Sequence, residues 1–170
     1  DFDQLDLYKD VFQDHDVVFC TLGTTIKDAG SKEAFRKVDV EYVKKSASLL
    51  SNRTKQFSLV TSMGADPNSW IFYSRTKGEI EEAMKAQKFQ RLSIFRPSLL
   101  LAKRKRLRPL EYIAQIVFPY FHFLLQGPLR KYRAIEVERV ARAMRIDYEE
   151  NVGKSGIKIY ESDEIEKLSN

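Results

Sequence analysis

The stretch QFSLVTSMGADPNSWIFYSRTKGEIEEAMKAQKFQRLSIFRPS (residues 56–98) decides the fold. It opens and closes on two short runs, QFSLVTS (56–62) and RLSIFRPS (91–98), that are nearly continuous in apolar residues. That is the pattern of strands covered on both faces. Between them WIFYSRTKGEIEEAMKA (70–86) reads as a helix. The intervening MGADPNSW contains the glycine, proline and Asn-Ser of a loop. Strand, loop, helix and strand in this order form a crossover between parallel strands.

Working outward, DVVFCTLG (16–23) and GIKIYE (156–161) read as two more strands. EAFRKVDVEYVKKSASLL (33–50) is a helix, with Phe35, Val38, Tyr42, Val43, Ala47 and Leu50 at spacings of three and four. RPLEYIAQIV (108–117) and IEVERVARAMRIDYEE (135–150) follow as helices. The alternation predicts one α/β domain with a parallel sheet and helices on its faces. Ligands of such folds bind beyond the carboxyl ends of the strands. Here those ends carry TLGTT (21–25), TSMGAD (61–66) and RPSLLLAKRKRLR (96–108).

Composition narrows the possibilities. A chain of 170 residues, 43% hydrophobic and 12% aromatic, is not disordered. The most apolar run, YIAQIVFPYFHFLL (112–125), is short and broken by Pro119, so no membrane span is expected. Cys20 is the single cysteine, which excludes an intrachain disulfide; a buried small side chain is its simplest reading. His15 and His122 stand far apart, no CxxC or HxxxH spacing occurs, and no metal is expected. The net charge of +5 is concentrated in KRKRLR (103–108) and RKYR (130–133), which can meet phosphate groups or simply face water.

Tyr73 and Lys77 lie one helical turn apart, on the same face. An ammonium group beside a phenol favours the phenolate, so such a tyrosine can exchange a proton with a carbonyl or alcohol near neutral pH. The lysine can also hold a ribose hydroxyl. Ser62, ending the preceding strand, can hydrogen-bond the same carbonyl oxygen, with Thr61 beside it as an alternative hydroxyl. Hydride transfer with a nicotinamide cofactor is the chemistry this trio supports. YxxxK alone is a weak signal. Its weight comes from Ser62, from Gly23 in TLGTT, where a missing side chain admits a dinucleotide, and from the RPS turn. Each has a plainer reading: Gly23 as a tight turn, Thr24 and Thr25 as caps, Pro97 as a strand end, Met63 and Met84 as packing.

CTLGTT, VTSMGAD, YSRTKGEIE and FRPSLLL, in this order and spacing, resemble the Tat-interacting oxidoreductase-like family of atypical short-chain dehydrogenases. The resemblance runs from DFDQLD to about residue 110, and more loosely beyond. It implies a Rossmann-type fold that binds NADPH and acts on an unknown small carbonyl or alcohol. It implies Leu22, Gly23, Leu100 and Arg108 as cofactor contacts, and Tyr73, Lys77 and Ser62 as the catalytic group, Tyr73 and Lys77 also touching the cofactor. It further implies growth control, apoptosis, an importin-type protein partner, and a place in the cytoplasm and nucleus or nuclear envelope. A cofactor-sensing interaction protein with little turnover is the alternative. Nucleic-acid or anionic-membrane binding through the basic clusters is a weaker third. The family's Gly-rich GxxGxxG turn is not in this sequence. The expectation is therefore of residues 1–170 as the C-terminal portion of one domain, with the first strands and phosphate-cradling turn ahead of residue 1.

Overall fold

The computed structural model describes residues 1–50, 54–101 and 132–170. Four strands form one parallel sheet: β1 (Val17–Cys20), β2 (Gln56–Val60), β3 (Arg91–Arg96) and a last strand, β6 (Gly156–Glu161), in the order β1-β2-β3-β6. Val17 pairs with Gln56, Gln56 with Arg91, and Arg91 with Gly156, so the four expected strands start in register across the sheet.

The helices lie where the crossovers require them. α1 (Ile26–Ala29) is a single turn capped by the Thr25 side chain. α2 (Lys32–Arg36) starts at Ser31, whose hydroxyl accepts the Ala34 N–H and satisfies one of the free amides of the first turn. It runs through a π-helical turn, Lys37–Tyr42, into α3 (Val43–Ser48). α4 (Phe72–Ala86) joins β2 to β3. A two-residue pair, β4 (Leu100–Leu101) with β5 (Ile135–Glu136), precedes α5 (Val137–Glu150), and α6 (Ser162–Leu168) follows β6 with a reciprocal Glu161–Glu164 capping box. The expected helix 135–150 thus starts two residues later, and the helix expected at 108–117 lies outside the described residues.

Strand alternation sends side chains to two different cores. Phe57, Leu59, Leu92 and Ile94 meet Val40, Val43, Ala47, Ile80 and Met84 of the helices between β1 and β3. Each fully buried aliphatic there contributes roughly 1.5–3 kcal/mol of apolar burial. Phe95 joins Ile135, Val140, Ala143, Met144 and Ile165 on the opposite face. On that face the residues between are polar: Gln56, Ser58, Arg91 and Ser93 are all buried. The near-continuous strand runs of the sequence therefore cover a sheet with one apolar face and one mixed face.

The regular spacing read in 33–50 is broken by the π turn. Val38 and Tyr42, expected on the inward face, are half-buried, while Asp39 and Val40 turn fully inward. A π turn is a rare geometry that recurs at functional sites, and this one puts a carboxylate under the carboxyl end of the sheet.

Candidate active site

α4 carries the pair that the sequence singled out. Its buried stripe is Lys77, Ile80, Glu81 and Met84, and Tyr73 stands one turn nearer the open end, 38% exposed. The helix packs on the loop before it so closely that a Cβ at Gly78 would fall 2.1 Å from the Pro67 nitrogen. Glycine is therefore required beside Lys77. The loop is shaped by its own short polar groups: Gly64 takes a positive φ, and the Asp66 carboxylate accepts the Asn68 N–H. Its amides are tied to the neighbours, Met63 N–H to the Pro97 carbonyl and Asp66 N–H to the Ser74 carbonyl.

Tyr73 is held between two groups. Its ring centroid is 5.7 Å from that of Phe35, and the Lys77 ammonium lies 5.8 Å from the ring centre. Lys77 itself is only 7% exposed. Its Nζ donates to Asp39 Oδ1 at 2.5 Å, and the other carboxylate oxygen accepts the Thr24 N–H at 2.9 Å. Gly23 completes the group: a Cβ there would stand 3.3 Å from Asp39 Oδ1 and 3.6 Å from Lys77 Nζ. Tyr73, Lys77 and Gly23 are thus brought together, with Leu22 packed against the apolar core beside them.

The two candidate hydroxyls behave differently. Thr61 Oγ1 donates to Glu81 at 2.6 Å, and Glu81 also receives Arg96, which bridges to Glu161. The bond to Glu81 is the main cause that holds Arg96 charged well above its ordinary range. Ser62 Oγ is buried with no hydrogen-bond partner. An orphaned buried hydroxyl costs free energy unless something else satisfies it; of the two candidate hydroxyls Ser62 is the one not already committed, and Thr54 Oγ1 and Arg91 Nε share its lack of a partner among the described residues.

Two expected contacts remain. Leu100 is in β4, partly exposed and paired with Ile135. Arg108 lies outside the described residues, as do KRKRLR and the first two residues of RKYR. Asp39 was not found from sequence, because a carboxylate between Lys37 and Glu41 reads as surface charge. Its position four residues after Phe35, on the otherwise apolar face, was the available signal.

Beside the site, β1 pairs only with β2 among the described residues. Along its free edge runs a cleft of about 420 Å³ lined by Phe2, Phe12, Val18, Phe19, Leu22 and Gly23. Burial pushes the Cys20 thiol up, and its charge environment includes both Lys77 and Asp39. No group of three or more His, Cys, Asp or Glu among the described residues is placed to hold a metal, and no described helix is long and apolar enough to cross a membrane.

A relative from rat, protein HTATIP2, is 44% identical over 145 residues, 85% of this chain. A relative from Candida albicans, the mitochondrial protein FMP52, is 35% identical over 162 residues, covering 91% of this chain and 69% of its own. The chain belongs to the HTATIP2/FMP52 family. It spans 58% of the rat protein's length. No protein-family model matches it. Among solved structures, the human epimerase family protein SDR39U1, determined with NADPH, superposes with a TM-score of 0.54 at 15% identity. That match covers 86% of this chain and 56% of the human one, and it carries the Rossmann-like α/β fold. One expectation is corrected. The cytoplasmic and nuclear location drawn from the family resemblance conflicts with the fungal relatives, which are named as mitochondrial proteins.

Proposed function

We propose that this protein binds NADPH and reduces a small carbonyl compound, or oxidises the matching alcohol, through Tyr73, Lys77 and Ser62. The observation that carries the reading is the meeting of Gly23 and Lys77. A Cβ at the side-chain-free strand end would stand 3.6 Å from the buried ammonium, which itself lies next to a tyrosine. The NADPH of the human fold neighbour supports that choice of cofactor. The residues present fit the group: the backbone at Gly23 is exposed, and Ser62 Oγ is an unsatisfied hydroxyl.

Leu22 and Gly23 would lie along the cofactor, and Lys77 would hold its ribose. When bound, the nicotinamide supplies or accepts the hydride. Tyr73 then gives its phenolic proton to the carbonyl oxygen as that oxygen becomes an alkoxide, or takes the proton back in the reverse direction. Ser62 Oγ donates a hydrogen bond to the same oxygen and orients it. Phe35 and Lys77 both stand against the Tyr73 ring and limit how it can turn.

Tyr73→Phe in the intact protein keeps the ring and removes the proton. NADPH-dependent turnover should fall by about 10²-fold or more while NADPH affinity is retained. Unchanged turnover would remove Tyr73 from the mechanism. Tight NADPH binding with no turnover of any carbonyl in a broad panel would point instead to a cofactor-sensing interaction protein.

A further inference from the structure

We infer that Asp39 is the positioning residue of this site, a carboxylate that ties the Lys77 ammonium to the cofactor-facing backbone at Gly23–Thr24. The inference rests on the nicotinamide reading above and deepens it.

The carboxylate is fully shared. One oxygen takes the Lys77 ammonium at 2.5 Å and the other takes the Thr24 N–H at 2.9 Å. Asp39 is 2% exposed and Lys77 7%. Two charges so far from water persist only when paired, and the pair fixes both ends. Lys77 therefore cannot move without its partner, and its partner cannot move without Thr24. Asp39 lies in the π turn Lys37–Tyr42, facing inward like Phe35 before it and Val43 after it, while its neighbours Lys37 and Glu41 face solvent.

The same pairing alters the electrostatics at Tyr73. At 5.8 Å from the ring, Lys77 acts as half of an ion pair, not as a lone cation. Cys20 on β1 feels both members of the pair, and Glu81, one turn further along α4, is committed to Thr61 and Arg96. Asp39 thus sets where the ammonium sits and how much of its field reaches the phenol.

The test is a double-mutant cycle in the intact protein, with NADPH affinity read by fluorescence titration. Asp39→Asn keeps an acceptor for Thr24 and removes the charge. Lys77→Met removes the ammonium. Each single change should weaken NADPH by about 10-fold, and the double should be no weaker than the weaker single, because both break one unit. Single effects that multiply to about 100-fold in the double, or an Asp39→Asn protein that binds NADPH within twofold of the parent, would overturn the inference.

A purely structural carboxylate would scale turnover at every pH alike. Here Asp39→Asn should move the pH profile of turnover to lower pH by about one pH unit, because the ammonium is no longer offset; an unmoved profile contradicts this. A third readout needs no cofactor. In ligand-free protein, Lys77→Met should shift the Thr24 amide resonance, and an unchanged resonance overturns the coupling. If the parent protein binds no NADPH, the cofactor reading falls and the Thr24 resonance still decides Asp39. Should Asp39→Asn fail to fold, Asp39→Glu keeps the charge on a longer arm. It should weaken NADPH by about threefold or more, and undiminished affinity would count against positioning.

Discussion

Two buried ion pairs sit on opposite faces of this sheet, and their surroundings differ. Asp39–Lys77 lies near the carboxyl ends of the strands; Asp147–Arg91 lies near their amino ends, equally buried and at 2.7 Å. Around Asp147 the polar groups converge. Its carboxylate also receives Gln56, Tyr160 and Asn151, and Gln56 continues to Ser58 and Ser93. Those bonds lock α5 onto β2, β3 and β6. Around Asp39–Lys77 the bonds reach only Thr24, Gly23 presents exposed backbone and Tyr73 is open to solvent, whereas at the other pair the atom left without a partner, Arg91 Nε, is buried. Burial and pairing are common to both. Groups left open toward solvent are found at one.

The largest effect that tests this contrast is on stability. Asp147→Ala and Asp39→Ala each strand a buried cation, and each should cost about 3–5 kcal/mol in denaturant unfolding. Where both variants remain folded, only Asp39→Ala should weaken NADPH. A comparable loss of affinity in Asp147→Ala would erase the distinction between the two pairs. Gly78→Ala comes next. Its methyl group meets the Asp66–Pro67 backbone, which cannot swing aside as a flexible side chain would. Overpacking of this kind costs about 1–3 kcal/mol, and the displaced loop should lower turnover beyond what the lost stability explains.

The smallest effect is confined to high pH. Burial, then the Asp147 carboxylate, push the Tyr160 phenol above its ordinary range. With the folded value raised, the stabilisation is complete below the ordinary phenol range near pH ~10 and is lost as pH rises through it toward the folded value. Unfolding measured between pH 9 and 11 should show that decline. Tyr160→Phe should flatten it, and a Tyr160→Phe protein with the parent's slope would remove Tyr160 from the network.

Much of this was legible in the sequence, for physical reasons. Phe57 and Leu59, and Leu92 and Ile94, alternate along 56–62 and 91–98 and made both strands legible, although buried polar residues share the other face, and the helix between them carried Tyr73 and Lys77 at the spacing of one turn. The pair β4 and β5 was not legible, because two residues make no alternation. Asp39 was hidden by its neighbours: between Lys37 and Glu41 a carboxylate reads as surface charge, and only its spacing of four from Phe35 marks it as inward. Thr61 and Ser62 could not be told apart until Glu81, twenty residues on, was seen to claim Thr61. The location came from resemblance alone, with no residue pattern behind it, and it is the expectation that failed.

The central claim is that Gly23, Lys77 and Tyr73 form one nicotinamide site. A crystal structure of the intact protein with NADPH tests it most directly. The account predicts the dinucleotide against Leu22–Gly23 with a ribose hydroxyl within about 2.7–3.2 Å of Lys77 Nζ. A cofactor bound away from Lys77, with the Asp39–Lys77 pair untouched and Tyr73 facing empty solvent, would contradict it.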